Sequence, residues 1–181
     1  MAFSKIAAEN LGGSTLPALA GGSLTGISAG KIGQVVQAYR RGEVTTTSST
    51  YTAFTDLSAS ITPTATSSKI LVEMEIHCHT AAGKAAFADI QRAIDGGATT
   101  QLGVTLDGSA TSGFSYRIGF ANTTTVNGLG YIRIPMTYLD SPSTTSQVTY
   151  CPIGKTEING QTSYWFHNAA ISTLLLSEVL A

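Results

Sequence analysis

His77 and His79 stand two residues apart in the run Lys69 to Thr80. On a strand that spacing points both imidazoles to the same side. Imidazole nitrogen is a common ligand for zinc, iron and nickel. In a trimer, such a pair facing the threefold axis would supply six nitrogens to one octahedral ion. The third histidine, His167, lies elsewhere in the chain. The reading adopted for His77 and His79 is a polar surface or a subunit contact, with the metal as the alternative, and no cofactor is assigned. Glu73 and Glu75 share that face. Two strand carboxylates about 7 Å apart reproduce the spacing of a glycosidase pair, but a charged solvent face or a subunit contact accounts for them more simply.

Trp165 lies between Tyr164 and Phe166 and is the only tryptophan. Its broad apolar face makes Trp165, with Tyr164, the candidate for a receptor or carbohydrate contact. Burial in a core or at a subunit contact is the competing reading. Gly26-Ile27-Ser28-Ala29-Gly30 carries the letters of a nucleophile elbow. That chemistry needs a strand before the serine and a helix after it. Here the flanks are a Gly-rich arm and a strand, so no catalytic residue is assigned and the chain is read as non-enzymatic. Gly30-Lys31 is followed by Ile32 where a phosphate loop has Ser or Thr. Asn122-Thr123-Thr124 fits a glycosylation sequon that a cytosolic product would not use. Cys78 and Cys151 match no metal or redox spacing and read as reduced, at least partly buried thiols.

The elements that must position these residues are strands. Ile70, Val72, Met74, Ile76 and Cys78 alternate with Leu71, Glu73, Glu75, His77 and His79, which predicts a half-buried strand. Phe114, Tyr116, Ile118 and Phe120 form a second alternation, and Ile132, Ile134, Met136 and Tyr138 a third. Pro135 inside the third points to an edge or a bulge. Weaker runs lie at Val35 to Arg40, Thr50 to Leu57, Ser58 to Thr62, Gln147 to Pro152, Ser163 to His167 and Ile171 to Leu180. Ala85 to Ile94 contains good helix formers, yet Asp95-Gly96-Gly97 and the strand-like Ala98 to Leu102 favour a hairpin. Eight to ten short antiparallel strands make an all-β jelly-roll sandwich over residues 32–181. Before it, six glycines between Leu11 and Gly30 preclude a stable helix or regular strand. Residues 1–31 therefore read as an extended attachment arm, with a short helix at Ser4 to Asn10.

Composition narrows the function classes. Lys plus Arg number 10 and Asp plus Glu 11 in 181 residues, a net charge of -1. Such a chain lacks the basic stripe that nucleic-acid binding needs. No apolar run approaches the roughly 18 residues of a membrane helix, and Lys5 and Glu9 interrupt any signal-peptide core, so neither nucleic acid nor membrane is an expected partner. Thr (26) and Ser (19) supply the polarity instead, in a chain that is 43% hydrophobic. Branched Thr suits a pleated surface.

Several runs carry a resemblance. Gly33-Gln34-Val35-Val36-Gln37, Tyr51 to Leu57, Ile61-Thr62-Pro63 and Ser67 to Val72 come first. Tyr138-Leu139-Asp140-Ser141-Pro142, Thr144 to Ser146, Val148-Thr149-Tyr150, Ser172-Thr173 and Ser177 to Ala181 follow in order. In these the chain resembles a family of bacteriophage tail fibre and virion structural proteins. The resemblance implies a trimeric jelly-roll domain without catalytic residues, assembled in the host bacterial cytoplasm into a virion. It implies a homotrimer joined to other virion proteins through residues 1–31, with a host surface glycan or protein as the target. A head fibre or decoration protein, and a free carbohydrate-binding module, are the alternatives.

Overall fold

Side chains that alternate between two faces can bury only one of them, so strands of this kind must pair face to face. The computed structural model of the chain describes residues 32–80, 85–103, 118–119, 132–166 and 170–180. The arm at 1–31 with its Gly26 to Gly30 motif, most of the Phe114 to Phe120 alternation, the Asn122 sequon and His167 lie outside the described residues. Among the described residues twelve strands follow one another: β1 (Ile32–Arg40), β2 (Val44–Thr46), β3 (Thr52–Ala53), β4 (Ala59–Ile61), β5 (Lys69–Thr80) and β6 (Ala85–Ile94). Then come β7 (Thr99–Gln101), β8 (Ile118–Gly119), β9 (Ile132–Asp140), β10 (Val148–Thr156), β11 (Ser163–Trp165) and β12 (Ser172–Val179). A 3-10 turn, Thr55–Leu57, interrupts the passage from β3 to β4.

Four pairs of short strands behave as single interrupted columns. β1 and β2 run along β12 and β11, and β12 and β11 together run along β5. β3 and β4 both pair β10, while β7 and β8 both pair β6. Counting each such pair once leaves eight columns in two antiparallel sheets. Numbered along the chain, the first sheet reads 1-8-3-6 (β1/β2, β12/β11, β5, β9) and the second 2-7-4-5 (β3/β4, β10, β6, β7/β8). This is the double Greek key of a jelly roll, so the expected all-β sandwich is the fold observed.

Local chemistry explains the pieces. At the β6–β7 hairpin Asp95 and Gly96 have φ of 48° and 67°, and the Gly97 amide donates to the Ile94 carbonyl at 2.8 Å. Two consecutive positive φ values define the turn whose twist suits a hairpin, and Asp-Gly adopts it readily. Ala85 to Ile94 is therefore a strand despite its helix formers. Among the described strands β9 pairs only β5, so Pro135 sits on an edge strand as its missing amide requires.

The core fills the space between the sheets. Ile70, Val72, Met74, Ile76, Ile134, Met136, Leu174 and Leu176 come from the first sheet. Ala86, Ala88, Ile90, Val148 and Tyr150 come from the second, and Phe54, Leu57, Trp165 and Phe166 join the same cluster. Phe54 packs on Trp165 at 5.1 Å and edge-on to Phe166 at 5.3 Å. Opposite them β10 has Gly154, where a β-carbon would come within 2.7 Å of both Phe54 and Trp165.

Candidate functional site

The parity of β5 is as its alternation predicts, but the exposure of its polar end is not. His77 and His79 are only 7% and 3% exposed. The reading of this pair as polar surface is corrected here: Tyr164, paired with His79 across the β5–β11 ladder, stacks flat on its ring at 4.2 Å. His77 takes the Ser172 hydroxyl as a neighbour, 3.4 Å from Nδ1 and 3.2 Å from the backbone nitrogen. The Glu43 carboxylate lies 3.7 Å from His79 Nε2. Among the described residues, no three or more His, Cys, Asp or Glu side chains gather as metal ligands.

The aromatic candidate is corrected too. Trp165 is fully buried, and its indole N–H donates to the Ser163 hydroxyl at 2.8 Å. No ring face is left for a saccharide, and Tyr164 spends one face on His79. Cys78 and Cys151 are buried free thiols. Burial pushes both thiols up from their ordinary range, which makes them poor nucleophiles.

Two buried carboxylates fasten the sandwich. Asp140, at the end of β9, accepts both oxygens' worth of bonding from Arg92 Nη1 (2.7 and 2.8 Å) and a bond from the Tyr150 hydroxyl (2.7 Å). It thereby ties the first sheet to β6 and β10 of the second. Burial, and then hydrogen bonding to Asp140, raise the Tyr150 phenol far above its ordinary value. Glu178, on β12, accepts the Thr64 amide (2.6 Å), the Thr64 hydroxyl (2.7 Å) and the Gln34 amide (2.9 Å). Burial alone would raise its pKa; the Gln34 and Thr64 donors outweigh that and hold it at about 2. On the second sheet Asp89 accepts from Gln101 Nε2 (2.6 Å) and the Gly103 amide (3.0 Å). Burial and the Asp89 charge push the nearby Tyr51 phenol up to about 12.

The outer face of the first sheet is different. Its ladders place Val35, Ser177, Leu71 and Leu139 in one row, then Gln37, Leu175, Glu73 and Thr137 in the next. The third row is Tyr39, Thr173, Glu75 and Pro135. Between the last two rows lies a shallow depression of about 300 Å³, walled by Gln37, Glu73, Glu75, Pro135, Thr137, Thr173 and Leu175, with Met74 and Met136 also lining it. Glu75 is paired with Arg133. Tyr39 stands on the rim, 73% exposed, and Val35 and Leu139 are 56% and 47% exposed. Sequence reasoning gave Glu73 and Glu75 their place but passed over Val35, Tyr39 and Leu139. The available signal was β1 itself: Val35, Val36, Ala38 and Tyr39 put apolar groups on both faces of one strand.

No family model matches the sequence, and no curated protein does. Solved structures that it resembles include those of virus particles. One is the structure of infectious bursal disease virus Gx strain, at 12% identity over 82% of this chain and 32% of that one, with a TM-score of 0.48. Another is the infectious bursal disease virus VP2 subviral particle, at 12% identity over 82% of this chain and 38% of that one, with a TM-score of 0.43. The chain thus spans about a third of the length of the chains it resembles. At that level the likeness does not bear on what the chain does.

Proposed function

We propose that this chain is a non-enzymatic structural subunit of a bacteriophage virion, displayed as a homotrimer in a tail fibre or receptor-binding tip. The observation that carries the reading is where the family-like runs fall. Tyr138-Leu139-Asp140-Ser141-Pro142 contains the carboxylate that joins the two sheets, and Ser177 to Ala181 contains Glu178, which fastens β12 to Gln34 and Thr64. The resemblance therefore reaches the residues that define this jelly roll, beyond its loops and composition. A rigid sandwich with few charges suits display of several copies, in which weak contacts gain from multivalency. Residues 1–31 would make the attachment to the rest of the particle, and a host surface glycan or protein would be the target. The polar residues at this fold's conspicuous positions are engaged in packing: Asp140 with Arg92 and Tyr150, Trp165 with Ser163, His79 with Tyr164.

The test is composition of the particle. Phage from the host culture, banded twice on density gradients, should contain the chain by mass spectrometry in a fixed ratio to the major head protein. Its loss from particles that remain intact and infectious in the same gradient would overturn the proposal.

A further inference from the structure

Among the described residues, four of the six large apolar side chains that remain well exposed, Ile32, Val35, Tyr39 and Leu139, belong to the first sheet's β1 and β9. A tyrosine side chain presents on the order of 150–250 Å² when free and the aliphatic ones less; at half to three-quarters exposed, the four together leave on the order of 400 Å² of apolar surface. A monomer's largest apolar patch is about 300–600 Å² and is often functional. A stable contact needs about 800 Å² from each partner, and the four supply about half of it before Leu71, Leu175 and Pro135 are added. The charges on this face are Lys69, in the row of Ile32 and Val179, Glu73, Glu75 and, one row beyond, Arg133, and the last two already neutralise one another.

From this face we infer that the first sheet is the contact between copies of the chain, with Tyr39 of one copy seated in the depression of the next. The inference rests on the proposed self-assembly and adds the surface that performs it. The depression and the knob are complementary and belong to one face. Leu175 and Pro135 offer apolar contact to a phenol ring, and Glu73, on the wall, is an acceptor for its hydroxyl. Within one copy Tyr39 flanks only the near edge of the depression, beside Thr173; the far wall, Pro135 and Thr137 on β9, is three strand spacings or about 14 Å away. A knob on one edge of the sheet that enters the next copy's hole makes a head-to-tail contact, which closes into a ring when the rotation allows.

The experiment uses the full chain. Tyr39 is replaced by the photoreactive p-benzoyl-phenylalanine, in a mixture of unlabelled and heavy-nitrogen protein, and cross-linked peptides are read by mass spectrometry. The expected products join position 39 of one copy to residues 73–75 or 135–137 of another, across the isotope boundary. In parallel, Tyr39→Lys and Leu139→Lys should weaken assembly at least tenfold by light scattering, and Tyr39→Phe should weaken it several-fold through the lost bond to Glu73. Circular dichroism of each variant, which changes only exposed positions, should match the parent. A trimeric parent whose cross-links fall elsewhere, on residues 1–31 or another protein, overturns this face while sparing self-assembly. A parent that stays monomeric at tens of micromolar overturns both.

Discussion

Replacing Asp140 with alanine removes the acceptor shared by Arg92 Nη1 and the Tyr150 hydroxyl, at 2.7–2.8 Å. Tyr150 is fully buried and Asp140 is 4% exposed, so water does not replace the lost partner at the phenol. Breaking a buried ion pair by deleting one member costs about 3–5 kcal/mol, because the survivor keeps its desolvation and loses its attraction. In a chain of this size each kcal/mol moves the midpoint of thermal unfolding by about 2–4 °C, so Asp140→Ala should lower Tm by roughly 6–20 °C. Tyr150→Phe should cost only about 1 kcal/mol, since Arg92 still satisfies the carboxylate. A double-mutant cycle separates the contributions: Asp140→Ala and Tyr150→Phe should be non-additive by about 0.5–3 kcal/mol. The measurement is urea unfolding at fixed protein concentration, followed by tryptophan fluorescence. A loss below about 1 kcal/mol for Asp140→Ala, or strict additivity, would refute the assignment of Asp140 as the tie between the sheets.

Acid provides a second test, through Glu178. Its folded pKa of about 2 lies below the ordinary 4.5, so the unfolded chain takes up the proton first and acidification favours unfolding. Its contribution is complete above about pH 4.5 and is lost as pH falls towards 2; Glu178→Gln should be less stable at pH 7, and the gap to the parent should narrow over that interval in urea titrations. At Gly154 a methyl group would strike Phe54 and Trp165, so Gly154→Ala should cost about 1–3 kcal/mol and diminish near-ultraviolet dichroism. Trp165 should emit at short wavelength, resist acrylamide quenching and ignore added saccharides; quenching at the solvent limit would show the indole exposed. The Cys78 and Cys151 thiols should react with Ellman's reagent only after denaturation, and rapid labelling of the native chain would contradict their burial.

What could be read from the chain was what a short window contains. The alternation along Lys69 to Thr80 gives β5 because period-two patterning reports the inward face directly. Asp95-Gly96-Gly97 gives its hairpin because the turn chemistry is local. β2 escaped because Val44–Thr46 is too short to show a period and exists through its pairing with β11. Exposure is also non-local. Parity says which way His77 and His79 point, while the approach of residues far along the chain, Tyr164 on His79 and Ser172 beside His77, goes with their burial. The carboxylate ties have the same origin: Arg92 is 48 residues from Asp140 and Thr64 is 114 residues from Glu178. Tyr39 looked like any strand tyrosine until the ladders set it beside a depression that spans the same sheet.

A structural place in a virion is open to electron cryomicroscopy of purified particles. Three copies of a two-sheet sandwich should surround a threefold axis on the tail, with β1 of one copy against β9 of the next. A particle map that accounts for every external density without this sandwich would contradict it.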